Sequence, residues 1–314
     1  MDAVIQVKNL TKDFKEVKAV DDLSFTVPAG EVYGFLGQNG AGKSTTIRML
    51  LTLIRPDSGE IEIFGMSLQK HRKEILRQVG AIIERPDLYK YLTALENLRI
   101  FAALSGAKIP EKKLMDQLAK VGLAERAHSK VKTYSQGMRQ RLGIATALVH
   151  DPKLIILDEP MNGLDPQGIA DVRNLILHLS NDLGKTLFVS SHLLNEMELI
   201  ADSMLIIDKG KKVADGSKQE LLNPVKIQVE LITDNKEISV RIIRDTKWGN
   251  YLLNKDNGNI LLEMDKAQIP ELNRTLVEKG INVISLRPKH SLEDFFLSLT
   301  AINKYAETSA NRDL

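Results

Sequence analysis

The sequence predicts an α/β fold: a mostly parallel central sheet, a helical insertion, and a small α+β domain at the C-terminal end. Three observations predict it. Three short runs, VYGFLG (32–37), KLIILDEP (153–160) and KTLFVSSH (185–192), are apolar almost throughout until their ends. Strands buried on both faces read this way, and a helical pattern follows two of them closely, as in a parallel sheet covered by helices. Between the first two runs, from about residue 88 to about 145, the apolar spacing turns helical. Beyond Asn223–Pro224 the pattern changes again, to short alternating segments.

In chain order, the first run leads into KSTTIRMLL (43–51), a helix-like stretch. In the insertion, LTALENLRIFAALSG (92–106) and EKKLMDQLAKVG (111–122) carry apolar residues at helical spacing. A third helix opens at TYSQGMRQRL (133–142) and continues as GIATALV. It begins with a hydroxyl and a glycine, then sets Arg139, Gln140 and Arg141 in its first turns, where cations oppose the helix dipole. Either this entrance meets an anion, or the arginines fix the helix to surrounding acids. LLNEMELIADS (193–203) follows the third run. Residues 1–222 are expected to form one domain and 223–314 a second. In the second, VKIQVELIT (225–233) and ISVRIIR (238–244) alternate like half-exposed strands, and DNGNILLEM (256–264) turns into another. IPELNRTLVEKG (269–280) reads as a helix stopped by glycine and INVISLRP (281–288) as a strand. SLEDFFLSLT (291–300) closes the domain as an amphipathic helix with Leu292, Phe295, Phe296 and Leu299 on one face, and residues 305–314 are expected to fray.

Composition narrows the function classes. The 314 residues suffice for two cores. Lys and Arg number 43 against 41 Asp and Glu, so no polyanion-binding surface is expected and nucleic acid is not an expected partner. With no cysteine there is no disulfide, thiolate metal site or thiol nucleophile. The start, MDAVIQVKNLTKDF, has no signal-peptide core, and no window approaches the roughly 18 apolar residues of a membrane span. The expected location is cytoplasmic, with any work at a membrane done through a partner.

Three motifs carry chemistry. GQNGAGKST, formed by Gly37, Gln38, Asn39, Gly40, Ala41, Gly42, Lys43, Ser44 and Thr45, fits the phosphate-loop pattern of a P-loop NTPase and lies between an apolar strand and a helix. The glycines let backbone N–H groups turn toward a β-phosphate, Lys43 brings a positive charge near the β/γ bridge, and Ser44 offers a hydroxyl to Mg²⁺. Asp158 and Glu159 end the second apolar run. There a first carboxylate can hold a metal's water shell and a second can orient or deprotonate an attacking water. Acids also commonly end strands before a Pro turn. His192 follows the third run, where a structural histidine is the ordinary expectation. All three sets follow carboxyl ends of parallel strands, where ligands of open α/β sheets bind.

These residues resemble the nucleotide-binding subunit of ATP-binding cassette (ABC) transporters over about residues 1–222. The family's order is present: the phosphate loop, YSQGM where the family has LSGGQ, then LIILDEP, NGLDP and SSH. The resemblance implies an ATPase using ATP and Mg²⁺, working as a head-to-tail pair with a second copy of itself. Each copy's signature would close over ATP held by the other's phosphate loop. Ser135 and the backbone around Gly137 would grip the partner's γ-phosphate, so the anion at that helix entrance would belong to the neighbouring subunit. Phe14 would stack on adenine, although a core aromatic is the plainer expectation. Glu159 would be the catalytic carboxylate, His192 the γ-phosphate sensor, and Asp165 a link across the dimer. A role for Asp165 as an N-cap before Pro166 is compatible with that.

Two departures stand out. Tyr134, Gln136 and Met138 occupy signature positions where the family commonly has Leu, Gly and Gln, while Ser135 and Gly137 are kept. Glu84 stands where the family usually has glutamine: it keeps an oxygen for Mg²⁺ but adds a negative charge near the phosphates, or it is simply a surface-loop acid. The Glu variant, the YSQGMRQRLGIA signature and the LEDFFLSLT ending together resemble the bacitracin-resistance and lantibiotic-immunity ATPases. Such subunits drive a separate transmembrane permease of the type-2 exporter class from the inner face of the cell membrane. A nucleotide-gated sensor acting on a membrane partner fits the same residues. A soluble ABC ATPase outside transport fits them less well, since the chain has one cassette and no sustained heptads.

Overall fold

A computed structural model describes residues 3–222, 227–253 and 259–289. The predicted helix at 291–300 and the tail at 305–314 lie outside these residues. The chain divides into two compact units, Met1–Ser217 and Lys218–Leu314.

The first unit opens with two long strands, β1 (Ala3–Phe14) and β2 (Val17–Pro28), paired antiparallel. No element is predicted for these residues, because bulges between Val7 and Lys12 break the two-residue alternation that marks a strand. β3 (Val32–Leu36) runs into the phosphate loop and α1 (Lys43–Leu50). β4 (Ser58–Ile63) and β5 (Met66–Ser67) return to the first sheet, whose order is β2-β1-β4-β5. After α2 (Arg72–Leu76) and β6 (Val79–Ile82) come three helices at the predicted insertion: α3 (Ala94–Leu104), α4 (Glu111–Lys120) and α5 (Gln136–Ala147). The remainder alternates: β7 (Leu154–Asp158), α6 (Pro166–Asn181), β8 (Thr186–Ser191), α7 (Leu194–Ile200), β9 (Ser203–Asp208) and β10 (Lys211–Ser217).

The central sheet has the order β10-β9-β3-β8-β7-β6, parallel throughout except for the β9–β10 pair at one edge. Every residue of β3, β7 and β8 is buried, as their continuous apolar runs require. The antiparallel sheet packs on this one through Phe25, whose ring stacks near Tyr33, Phe35 and Phe188 at about 6 Å between centroids. Among the described residues, no helix is long and apolar enough to cross a membrane.

The second unit begins with α8 (Lys218–Leu222), then β11 (Ile227–Thr233), α9 (Lys236–Arg244), β12 (Ile260–Met264), α10 (Ile269–Glu278) and β13 (Val283–Lys289). β11 lies between β12 and β13, antiparallel to both, over a core that includes Trp248, Leu272 and Leu276. One expectation fails here. ISVRIIR lies in α9, not in a strand. Asn235 caps the helix by accepting from the Ile238 N–H at 3.1 Å, Glu237 sits in the first turn, and Arg241 and Arg244 sit in the last. Ser239 and Ile243, four apart, are buried. β-branched content suggested a strand, but the cap, the end charges and the packing of one helical face decide otherwise.

Candidate active site

β8 lies between β3 and β7, with Leu36 opposite Ser191 and Asp158 opposite Ser190. The carboxyl ends of the three strands therefore finish side by side. The phosphate loop leaves β3, Asp158 and Glu159 end β7, and His192 follows β8, so tertiary pairing gathers three motifs that are far apart in sequence.

Glycine is required in the loop for two reasons. Gly40 and Gly42 have φ of 83° and 105°, in the left-handed region. A Cβ on Gly42 would lie 2.3 Å from the Ala19 carbonyl oxygen, and one on Gly37 would lie 2.6 Å from that of Ile207. Gly42 caps α1 without a side-chain bond and no acid occupies the first turn, so helix geometry leaves the first N–H groups without intrahelical acceptors. Gln38, Asn39 and Gly40 are exposed, Ala41 is buried, and Ser44 and Thr45 are half-buried.

Lys43 is buried and folds back on its own loop. Its ammonium donates to the carbonyls of Gly37 at 2.7 Å and Gln38 at 3.2 Å. It also stands 3.1 Å from Glu159 Oε1, an ion contact that lacks hydrogen-bond alignment. Glu159 Oε2 lies 2.7 Å from His192 Nδ1. Lys43, Glu159 and His192 thus form one charged cluster in which the lysine faces acceptors of its own chain. Glu159 holds a φ of 50°, uncommon for a residue with a Cβ and further disfavoured before Pro160. Asp158 is 1% exposed. Its Oδ1 accepts from the Ser190 hydroxyl at 2.5 Å, and its Oδ2 has no hydrogen-bond partner.

The donors fit a magnesium ion that arrives with phosphate. Asp158 supplies a buried carboxylate oxygen without a partner, and Ser44 supplies a hydroxyl one residue from Lys43. Among the described residues, no group of three or more His, Asp or Glu could hold a metal by itself. Phosphate and water oxygens would complete the octahedral shell that Mg²⁺ demands.

The second predicted cluster surrounds the entrance to α5. Ser135 is exposed and caps the helix by accepting from the Met138 N–H at 3.2 Å. Asp165 caps α6, accepting from the Gly168 N–H at 3.0 Å. The two entrances touch: a Cβ on Gly137 would come 3.5 Å from the Gly168 Cα, and the Gln136 amide reaches the Asn162 carbonyl at 3.5 Å. Tyr134, one of the departures, is buried and donates its hydroxyl to the Arg126 carbonyl at 2.6 Å. Arg141 donates to the Val121 carbonyl at 3.0 Å and lies 3.5 Å from Asp171, so it fixes α5 to its surroundings.

Two further predicted residues make other contacts. Phe14 is 49% exposed at the end of β1 with Lys12 over its ring, which sets aside the core-aromatic alternative. Glu84, with φ of 59°, pairs with Arg48 of α1 at 2.5 Å. Arg48 and Ser190 are not among the predicted site residues. Ser190 had a usable signal, since a hydroxyl in a strand buried on both faces must find a partner.

The family described as ABC transporter matches residues 20–162. The bacitracin transport ATP-binding protein BcrA of Bacillus licheniformis is 44% identical across 95% of this chain and 98% of its own. The lantibiotic transport ATP-binding protein SrtF of Streptococcus pyogenes is 40% identical across 70% of this chain and 96% of its own. A solved dimer of the ATP-binding cassette MJ0796, in a post-hydrolysis state with ADP and phosphate, has a TM-score of 0.61 at 25% identity, covering 68% of this chain and 98% of that one. With a phosphate loop, an acidic strand end and a histidine gathered at the carboxyl ends of three adjacent strands, and a relative matched nearly end to end, the chain belongs to the ATP-binding subunits of ABC transporters, which bind and hydrolyse ATP.

Proposed function

We propose that this chain is the motor of a two-component exporter. Two copies pair head to tail around ATP, drive a separate transmembrane permease from the cytoplasmic face of the membrane, and so export or remove a peptide antibiotic, a lipid or another amphiphile. One observation carries this reading: the 44% identity to the bacitracin transport protein runs almost end to end and includes the second unit. SrtF, 40% identical over 226 residues, supports the same class from a shorter match.

In this reading the phosphate loop holds the β- and γ-phosphates, with Lys43 exchanging loop carbonyls for phosphate oxygens. Phe14 stacks on adenine. Ser44 and Asp158 hold Mg²⁺, which screens phosphate charge when bound. Glu159 orients the attacking water, and His192 faces the γ-phosphate. Ser135 and Gly137 close over the other copy's nucleotide, and Asp165 connects the two sites. The γ-phosphate supplies the contact that only the closed pair makes, so its loss reopens the pair.

The test is purification of the tagged chain from membranes of its own host, with identification of what accompanies it. An integral-membrane permease, with ATPase activity stimulated by an amphiphile in reconstituted vesicles, is the expected outcome. Recovery with ribosomes or DNA and without a membrane protein would remove the transport reading.

A further inference from the structure

We propose that Ser190 is a positioning residue for the acidic pair: its hydroxyl fixes the orientation in which the Asp158 carboxylate would meet the metal and holds Glu159 in its left-handed turn. This rests on the reading of Asp158 and Glu159 given above and deepens it.

The polarity of the contact is forced. Ser190 is fully buried on β8, directly opposite Asp158 in the parallel ladder with β7. A carboxylate only accepts, so the single hydroxyl proton goes to Asp158 Oδ1, at 2.5 Å. The serine oxygen keeps lone pairs and accepts the Glu159 N–H at 2.9 Å. One side chain therefore touches both acids, with no freedom to exchange donor and acceptor. Two consequences follow. Oδ1 is occupied, which leaves Oδ2 as the buried carboxylate oxygen without a partner. A carboxylate free to rotate could turn its plane; this one cannot without straining a charge-assisted bond. The backbone of Glu159 is also held. Its φ of 50° is costly for a residue before proline and persists only where neighbours over-determine it. The hydrogen bond to its N–H, together with His192 against its carboxylate, supplies that restraint.

Packing alone would not call for this residue. Leu187, Phe188 and Val189 precede it on the same strand and are fully buried, so an apolar residue would suit the strand. A hydroxyl there costs desolvation unless it is bonded, and both of its bonds go to the acidic pair.

The test compares Ser190→Ala and Ser190→Cys with Asp158→Asn and Glu159→Gln in the full chain. Binding of a fluorescent ATP analogue is titrated with and without Mg²⁺, alongside steady-state hydrolysis. Cysteine nearly preserves volume while hydrogen-bonding weakly, so it separates polarity from packing and stands in if the alanine variant does not fold. For both Ser190 variants we expect metal-free nucleotide affinity within about twofold of wild type. The gain in affinity produced by Mg²⁺ should shrink, and kcat should fall on the order of tenfold, the scale of a lost hydrogen bond to a charged group. If both variants keep the wild-type Mg²⁺ response and kcat while Asp158→Asn loses the Mg²⁺ response and Glu159→Gln loses turnover, Ser190 does not position the pair. Equal losses with and without Mg²⁺ would likewise overturn the proposal by showing a general structural role. Full retention of metal response and turnover by Asp158→Asn and Glu159→Gln would instead remove the underlying assignment of the acids.

Discussion

At the entrance to α1, the buried Lys43 contacts two loop carbonyls and the Glu159 carboxylate, all in the same chain. At the entrance to α5, Ser135 is exposed and caps its own helix, accepting from the Met138 N–H. Neither helix has an acid in its first turn, whereas α3, α4, α9 and α10 each do. Acids at a first turn are the ordinary answer to the helix dipole, and their absence leaves the positive end for an anion from elsewhere. The difference lies in what stands there without nucleotide. α1 has a lysine whose charge its own acid balances; α5 has an exposed hydroxyl that caps its own helix. That asymmetry fits the proposed reading, in which one entrance holds the nucleotide and the other closes over it.

The largest effect should come from breaking the α1 side. Glu159→Gln removes the charge beside Lys43 and, in the proposed reading, the group that handles the water, so kcat should fall by about 10²–10⁴ while ATP binding persists. Gel filtration with Mg·ATP should then show a lasting pair; a monomer with wild-type turnover would break the comparison. Next is the α5 side. Ser135→Asp keeps a good N-cap but points a negative charge outward. Its melting temperature and the nucleotide affinity of the isolated chain should match wild type, with hydrolysis reduced on the order of a hundredfold. Loss of nucleotide binding would show that α5 serves its own chain's site instead.

A smaller effect is expected where α1 meets Glu84. Arg48→Ala leaves that carboxylate uncompensated and should slow hydrolysis a few-fold; in combination with Glu84→Gln the penalty should disappear. Both side chains are well exposed, 41% and 62%, so solvent screening keeps the coupling below about 1 kcal/mol, and added salt should shrink it further. A double-mutant cycle on kcat measures it, and strict additivity would mean that the pair is incidental. The smallest effect lies in the second unit, which has no part in the asymmetry. Asn235→Ala should cost about 1 kcal/mol in local stability, read as faster amide exchange in α9, with ATPase activity unchanged.

Much of the first unit was legible because its signals are local. A strand buried on both faces must be apolar along its whole length, so β3, β7 and β8 announce themselves, and the backbone demands of the phosphate loop fix its glycines. Less could be read where local signals conflict or are interrupted. Bulges hid β1 and β2, and the β-branched residues of α9 outweighed its Asn235 cap and end charges until packing chose the helix. Arg141 could have faced an anion or its own chain, and its bonds to Val121 and Asp171 are made across the fold.

Sequence by itself determined which groups could do phosphate chemistry, because residue type and spacing set donors, acceptors and backbone freedom over a few residues. Only the tertiary structure decided their pairing: Lys43 against Glu159, Glu159 against His192, Ser190 bridging the two acids, Arg48 on Glu84. Those contacts join residues 31 to 116 positions apart, and their geometry follows from the parallel order of β3, β8 and β7 and from Arg48 of α1 reaching the segment after β6. Strand order is set by burial summed over the whole core, a quantity that no single stretch of chain contains.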